Sequence, residues 1–125
     1  MILPKDRAAP VTSAVLKASA GAAEFIPVVQ VTNLVRAIEQ LRKAGFWMFG
    51  AHQDADHSLY ETDLRLKLGL VIGGEGKGIR RLVKESCDDL VSIPLKGRVA
   101  SLNAAVAGAI AMFEYVRQCA PQCEE

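Results

Sequence analysis

The chain has 125 residues, which is enough for one domain and too few for two of ordinary size. It has 15 Lys and Arg residues against 14 Asp and Glu, a net charge of +1, and 50% of its residues are hydrophobic. This balance excludes an intrinsically disordered chain and leaves any contact with nucleic acid to a local basic patch. The longest apolar run, residues 104–113, is well below the roughly 18 residues that cross a membrane.

The predicted elements of the first half alternate between strand and helix. In chain order they are a strand end at 2–4, a loop at 5–10, a helix from Thr12 or Ser13 to Lys17, a strand at 25–31, a helix capped by Thr32 and ended by Gly45, and a strand at 46–51.

The second half continues the alternation. It consists of a polar loop at 52–63, a strand at 66–72, a glycine-rich loop at 73–78, a helix at 79–87, a strand at 90–93 and a long helix at 101–118. Buried-type strands separated by helices predict an α/β fold, a parallel sheet flanked by helices. Ligands of such sheets bind at the carboxyl ends of the strands, which here are residues 50–51, 73–78 and 93–95.

The last helix has apolar residues on all sides, from Leu102 to Val116. A helix of this kind must be covered all round. We predict that it forms a homodimer interface; the alternative is complete burial within one chain.

The glycine-rich loop is a candidate ligand site, because its N–H groups and the following helix N-terminus suit an anion. It matches neither a phosphate-binding P-loop nor a dinucleotide fingerprint, and a tight structural turn explains the glycines as well. Glu75 is poorly placed for packing inside this loop, so a role in a site is an open alternative.

The helix after this loop has four cations at helical spacing, which places them on one face: Lys77, Arg80, Arg81 and Lys84. A contact with the phosphate backbone of a nucleic acid is one interpretation, and an ordinary solvated face is the other. Lys5 and Arg7 are candidates for the same surface.

Two other groups have the residue types of a metal site. The loop from His52 to His57 lacks a second ligand cluster, as does the pair Cys119 and Cys123, and we predict no metal. Cys87 is expected to be a small buried hydrophobe. Three cysteines without framework spacing, and no export signal at the start, indicate a cytoplasmic protein with no membrane segment.

Two stretches together resemble a known family. The first reads LVIGGEGKGIRR at 70–81 and continues to DLVSIPL at 89–95; the second reads VASLNAAVAGAIAMFE at 99–114. They resemble the second and third motifs of the SpoU (TrmH-type) RNA ribose methyltransferases of the SPOUT superfamily. Residues 2–10 and 17–24 are similar to the segment after that family's first motif. The likeness is strongest to the bacterial enzymes that methylate a guanosine of 23S ribosomal RNA.

The resemblance implies a SPOUT-type fold with a C-terminal trefoil knot, a homodimer, S-adenosyl-L-methionine as cofactor and a ribose 2′-hydroxyl of RNA as methyl acceptor. By position in the motifs, Gly73, Ile93 and Leu102 would contact the cofactor. The catalytic centre would include Glu75, Ser101 and Asn103, with Asn103 as a polar positioning group; by spacing alone, Ser101 and Asn103 are helix caps.

The family's first motif contains an Asn and an Arg and would precede Ile2. We therefore expect residues 1–125 to be a single domain that lacks its first strand and helix and the Arg that activates the 2′-hydroxyl. The main interpretation is an RNA 2′-O-methyltransferase; without that Arg the chain is expected to bind cofactor and to methylate slowly or not at all. The alternatives are an inactive dimerising module that binds cofactor or RNA, and a nucleotide-binding domain that holds a phosphate in the glycine loop.

Overall fold

The structure, a computed structural model, describes residues 1–6, 10–74 and 76–121. The chain divides into two compact units, Met1–Ala37 and Ile38–Glu125. Strands pair in parallel in both units, and helices lie between them in the sequence, so the predicted α/β class is confirmed. The strands form two sheets, however, and not the single sheet that the sequence predicted.

The first unit contains a two-stranded sheet of β1 (Ile2–Pro4) and β2 (Val29–Val31). Helix α1 (Ser13–Ala18) begins after Thr12, whose side-chain oxygen accepts a hydrogen bond from the Val15 N–H at 3.4 Å. The predicted strand at 25–31 is wrong in its first half, where a 3₁₀ turn occupies Ala22–Phe25. Pro27 has no N–H to donate to a strand ladder, so pairing begins only after it.

Helix α2 (Leu34–Lys43) crosses the boundary between the units. Its cap is Asn33 and not the predicted Thr32, because the Asn33 side-chain oxygen accepts from the Arg36 N–H at 3.0 Å. Ile38 is buried on the apolar face, and Gly45 follows the helix with a φ of +87°. The predicted position and C-terminal end of this helix are confirmed.

The second unit is built on a four-stranded parallel sheet. In spatial order its strands are β4 (His57–Ser58), β6 (Asp89–Ser92), β3 (Trp47–Ala51) and β5 (Leu68–Val71). Helix α3 (Arg81–Ser86) connects β5 to β6, and α4 (Ala104–Cys119) follows β6. The stretch predicted as a loop at 52–63 contains β4 and a 3₁₀ turn, Leu59–Glu61. Its short, polar sequence gave no strand periodicity to detect.

The core of the second unit is small and lies between the sheet and α4. It contains Phe49, Leu59, Leu64, Val91 and Ala111, all nearly inaccessible to solvent. These residues come from five different elements or loops, so the core fixes α4 against the sheet and against the segment before β5.

Helix α4 is not apolar on all sides as the sequence suggested. Glu114 is 7% exposed; its carboxylate accepts two hydrogen bonds from Arg117, at 2.7 and 2.8 Å, and one from Gln118 at 2.8 Å. The Gln118 amide also accepts from the Leu64 N–H and donates to the Thr62 carbonyl. Glu114 therefore belongs to a polar network that ties the end of α4 to loop 62–64.

The opposite side of α4 is exposed and apolar. Phe113 is 73% exposed, and Met112 and Val116 are each 57% exposed. The alternative that α4 is completely buried within one chain is therefore wrong. No helix in the described part of the chain is both long and apolar enough to cross a membrane.

Candidate functional site

A cavity of about 410 Å³ lies at the carboxyl ends of three strands in the second unit. It is lined by residues 51–53 at the end of β3 and just after it, by residues 72–74 and 76–78 after β5, by Val91 in β6, and by Ile93 and Leu95 after β6. Residues 100–102, Ala104 and Ala107 complete the wall from the start of α4. This is the location that the strand-end rule predicts for a ligand.

The glycine-rich loop forms one wall of this cavity by folding back on itself. The Gly78 N–H donates to the Gly74 carbonyl at 3.1 Å, and Gly76 and Gly78 have φ values of +82° and +64°. A Cβ on Gly73 would lie 2.3 Å from the carbonyl carbon of Gly78. The turn itself therefore requires glycine at position 73, which supports the interpretation that the glycines form a tight structural turn. The same turn also lines the cavity.

The structure brings together most of the predicted cofactor and catalytic residues. Gly73, Ile93, Leu102 and Ser101 all line the cavity. Glu75 lies outside the described residues. The sequence motifs at 70–81, 89–95 and 99–111 therefore meet at one place, although they are separated along the chain.

Asn103 is the cap of α4. Its side-chain oxygen accepts from the Ala105 N–H at 2.9 Å and from the Val106 N–H at 3.4 Å, and its backbone carbonyl accepts from Ala107. The capping interpretation is confirmed for Asn103. It is not among the lining residues of the cavity, whereas its neighbours Leu102 and Ala104 are.

The four predicted RNA-contacting cations do not share a helix face. Helix α3 begins only at Arg81, so Lys77 and Arg80 precede it, and the helical spacing assumed for the set does not apply. Lys77 lines the cavity, Arg81 lies 3.7 Å from Glu85 in an exposed ion pair, and Lys84 is half-buried. The Gly78 N–H bonds to the Gly74 carbonyl, and the helix begins only three residues after this contact.

Two lining residues were missed by the sequence reasoning, which placed His52 and Gln53 in a solvated loop. A signal for them was present in the sequence, because the strand end predicted to bind a ligand, Gly50 and Ala51, directly precedes His52. The His52 N–H donates to the Val91 carbonyl at 2.9 Å, which extends the pairing of β3 with β6 by one residue and brings His52 to the cavity. Among the described residues, no three His, Cys, Asp or Glu side chains are grouped so that they could hold a metal ion.

Cys87 packs against strand β3 at Gly50. Burial, with a contribution from Asp88, raises the pKa of its thiol to about 11. The Sγ atom donates to the Val83 carbonyl at 3.3 Å, and it lies 3.2 Å from where a Cβ on Gly50 would be. A protonated, packed thiol is a poor nucleophile, so Cys87 has a structural role.

A family model matches most of the chain. The SpoU rRNA Methylase family matches residues 1–113. The 23S rRNA (guanosine-2′-O-)-methyltransferase RlmB of Xanthomonas campestris is 52% identical over 118 residues, which are 94% of this chain and 47% of that protein. The RlmB protein of Escherichia coli K12 is 47% identical over 118 residues, 94% of this chain and 49% of that protein.

Solved structures with the same fold agree. The SpoU methyltransferase AviRb from Streptomyces viridochromogenes, in complex with the cofactor AdoMet, superposes with a TM-score of 0.82 at 30% identity, covering 94% of this chain and 48% of AviRb. An AdoMet-bound rRNA methyltransferase from Sinorhizobium meliloti gives a TM-score of 0.85 at 26% identity, covering 96% and 46%. The chain spans about half the length of the curated relatives it matches. With its family motifs gathered around one cavity, this chain belongs to the SpoU rRNA methylase family.

Proposed function

We propose that the cavity binds S-adenosyl-L-methionine and that the chain serves methyl transfer to a ribose 2′-hydroxyl of RNA, a guanosine of 23S ribosomal RNA. One observation carries this proposal: the segments that resemble the second and third family motifs, which belong to different strand ends and to the start of α4, build the walls of a single cavity. The relatives named for 23S rRNA methylation and the AdoMet-bound neighbours support it.

The cavity suits the proposed cofactor in size and chemistry. A volume of about 410 Å³ is within the range of sites for small ligands. Ile72, Ile93, Leu95 and Leu102 provide apolar walls for a purine ring. Backbone groups of Gly73, Ile93 and Leu102 are the proposed polar contacts, because an amide edge pairs with purine donors and acceptors without adding charge.

The residues of the chain would act by positioning. When bound, the cofactor supplies a methyl group on a sulfonium, which is reactive toward an oxygen nucleophile. We assign Ser101, in the wall, and Asn103, at the cap of α4, to the placement of the ribose beside it, with Glu75 as the third member of the set. Holding the two reactants in line supplies much of the rate in such a transfer.

Lys77, Arg80, Arg81 and Lys84 are the proposed contacts to RNA phosphates. Lys77 carries the most weight, because it lines the cavity and would meet the phosphates next to the reacting ribose. The other three lie at the start of α3 or on it. We also propose a homodimer through the exposed face of α4, the family's knotted backbone, and a location in the cytoplasm with the ribosome.

Titration calorimetry of the 125-residue chain with S-adenosylhomocysteine and, separately, with ATP tests the cofactor assignment. Binding of S-adenosylhomocysteine without binding of ATP is the expected result. The reverse preference would contradict the proposal and favour a phosphate-binding domain.

Methyl transfer is tested with isotope-labelled cofactor and 23S rRNA, followed by nuclease digestion and mass spectrometry of the nucleosides. Label is expected to accumulate slowly on the ribose of guanosine, in keeping with the slow transfer expected from the sequence. Ser101→Ala and Asn103→Ala are expected to lower the transfer, whereas Gln40→Glu, on the exposed side of α2, is expected to leave it unchanged. Transfer that is insensitive to both site variants would contradict the residue assignments.

A further inference from the structure

His52 differs from the other polar side chains of the cavity. Among the described lining residues, four have polar side chains: His52, Gln53, Lys77 and Ser101. The last three are exposed, and His52 is half-buried. A half-buried donor beside apolar walls loses part of its hydration, so it favours a ligand that supplies a hydrogen-bond acceptor.

The position of His52 is fixed from two sides. Its backbone N–H donates to the Val91 carbonyl at 2.9 Å, which holds the residue to strand β6. Its ring Nδ1 accepts from the Asp54 N–H at 3.3 Å. Because Nδ1 acts as an acceptor, the ring proton lies on Nε2, and the ring presents a single N–H donor from a constrained side chain.

The wall that carries His52 is one of the apolar walls suited to a nucleoside. Val91, to which His52 is bonded, and Ile93 lie along the same strand end and line the cavity. The apolar side chain of Ile93 suits the flat face of a purine, whose ring nitrogens and ribose hydroxyl groups are hydrogen-bond acceptors. A donor at this wall is therefore positioned for the nucleoside portion of a ligand.

We propose that His52 is a cofactor-binding residue, which donates a hydrogen bond from Nε2 to an acceptor in the nucleoside portion of the cofactor. The inference rests on the proposed function and deepens it, since it adds a side-chain contact to a site otherwise assigned to backbone groups.

The experiment compares two ligands that share a nucleoside. S-adenosylhomocysteine and 5′-methylthioadenosine are titrated by calorimetry into the wild-type chain and into His52→Asn, whose shorter amide retains an acceptor for the Asp54 N–H and lacks a group at the position of Nε2. We expect His52→Asn to weaken both ligands by the same factor, about three- to tenfold, the effect of one hydrogen bond. His52→Gln, whose amide N–H reaches near the position of Nε2, should restore binding to within about twofold of wild type.

His57→Ala is the matched control, because the side chain of this second histidine is exposed and does not line the cavity. It should bind both ligands as the wild type does. Thermal unfolding of each variant shows that it is folded, and if His52→Asn unfolds, His52→Ala takes its place.

Three results would overturn the inference. Wild-type affinity in the folded His52 variant would refute it while the proposed function stands. A loss confined to S-adenosylhomocysteine would place the acceptor in the amino-acid portion and refute the nucleoside assignment. A wild-type chain that binds neither ligand would refute the proposed function, and this inference with it.

Discussion

At the scale of single residues, Gly73 shows how a motif glycine is required by the fold. The family resemblance assigns it to the cofactor, yet the turn alone already excludes a side chain, because a Cβ would lie 2.3 Å from the Gly78 backbone. Its neighbour Gly74 also lines the cavity, has no positive φ and has open space where its Cβ would be.

The two glycines form a matched pair for mutation. We expect Gly73→Ala to lower the free energy of unfolding by about 1–3 kcal/mol or more, since the backbone must shift to relieve the overlap, and to abolish binding of S-adenosylhomocysteine. Gly74→Ala should change stability by less than about 0.5 kcal/mol. Urea unfolding followed by circular dichroism measures both. Equal stability of the two variants would contradict the close approach of the Gly73 and Gly78 backbones.

At the scale of elements, α4 has two faces with different roles. One face buries Glu114 in the network with Arg117 and Gln118, and the other exposes Met112, Phe113 and Val116. The sequence pattern predicted a helix that is apolar on all sides. Periodicity depends only on residue types and does not show whether a carboxylate has hydrogen-bond donors around it.

The buried carboxylate predicts a dependence of stability on pH. The hydrogen bonds from Arg117, and then that from Gln118, lower the pKa of Glu114 from 4.5 to about 2. A lowered carboxyl pKa stabilises the folded state fully above about pH 4.5, and this contribution is lost as the pH falls toward 2. Glu114→Gln should therefore be less stable by about 1.5–3 kcal/mol at pH 7, and the difference should shrink on acidification.

Denaturant unfolding between pH 7 and pH 2 measures this difference. Glu85→Gln, which removes the exposed partner of Arg81, is the control and should change stability by no more than about 0.5–1 kcal/mol. A difference between wild type and Glu114→Gln that stays constant with pH would contradict the assigned role.

The exposed face of α4 predicts the oligomeric state. If Phe113, 73% exposed in the single chain, is covered in a homodimer, Phe113→Glu should convert the dimer to a monomer, because it would bury an unpaired charge. Light scattering coupled to size-exclusion chromatography measures the mass. Gln40→Glu makes the same change in charge on α2 and should remain dimeric. A Phe113→Glu protein that stays dimeric would exclude this face as the interface.

At the scale of the whole molecule, the cavity belongs entirely to the second unit, Ile38–Glu125. Its walls come from loops that follow three strands and from the start of α4. A ligand that binds only the folded cavity should therefore stabilise those segments first.

Hydrogen–deuterium exchange read by mass spectrometry tests this distribution. Addition of S-adenosylhomocysteine should slow exchange in peptides that cover residues 72–78 and 100–107, because the bound ligand suppresses the local unfolding that exposes these amides. Peptides that cover α1, Ser13–Ala18, should exchange at an unchanged rate. Protection greatest in the first unit would contradict a site confined to the second.

The sequence by itself determined the alternation of strands and helices, the position of the glycine turn at the end of a buried strand and a cap of the last helix at Ser101 or Asn103. These features depend on local periodicity, backbone freedom and side chains that bond to nearby N–H groups, all of which neighbouring residues encode. The family motifs also identified Gly73, Ile93, Ser101 and Leu102, which the fold brings to one cavity.

Only the tertiary structure decided the rest. His52 enters the cavity because β3 pairs with β6 one residue beyond the predicted strand, and Glu114 turns inward because Arg117 and Gln118 surround it with donors. The four basic residues do not share a helix face, because the chain closes a turn between Gly74 and Gly78 and α3 begins only at Arg81. Each of these outcomes depends on contacts or loop closure that local sequence preference does not specify, so packing and not pattern settled them.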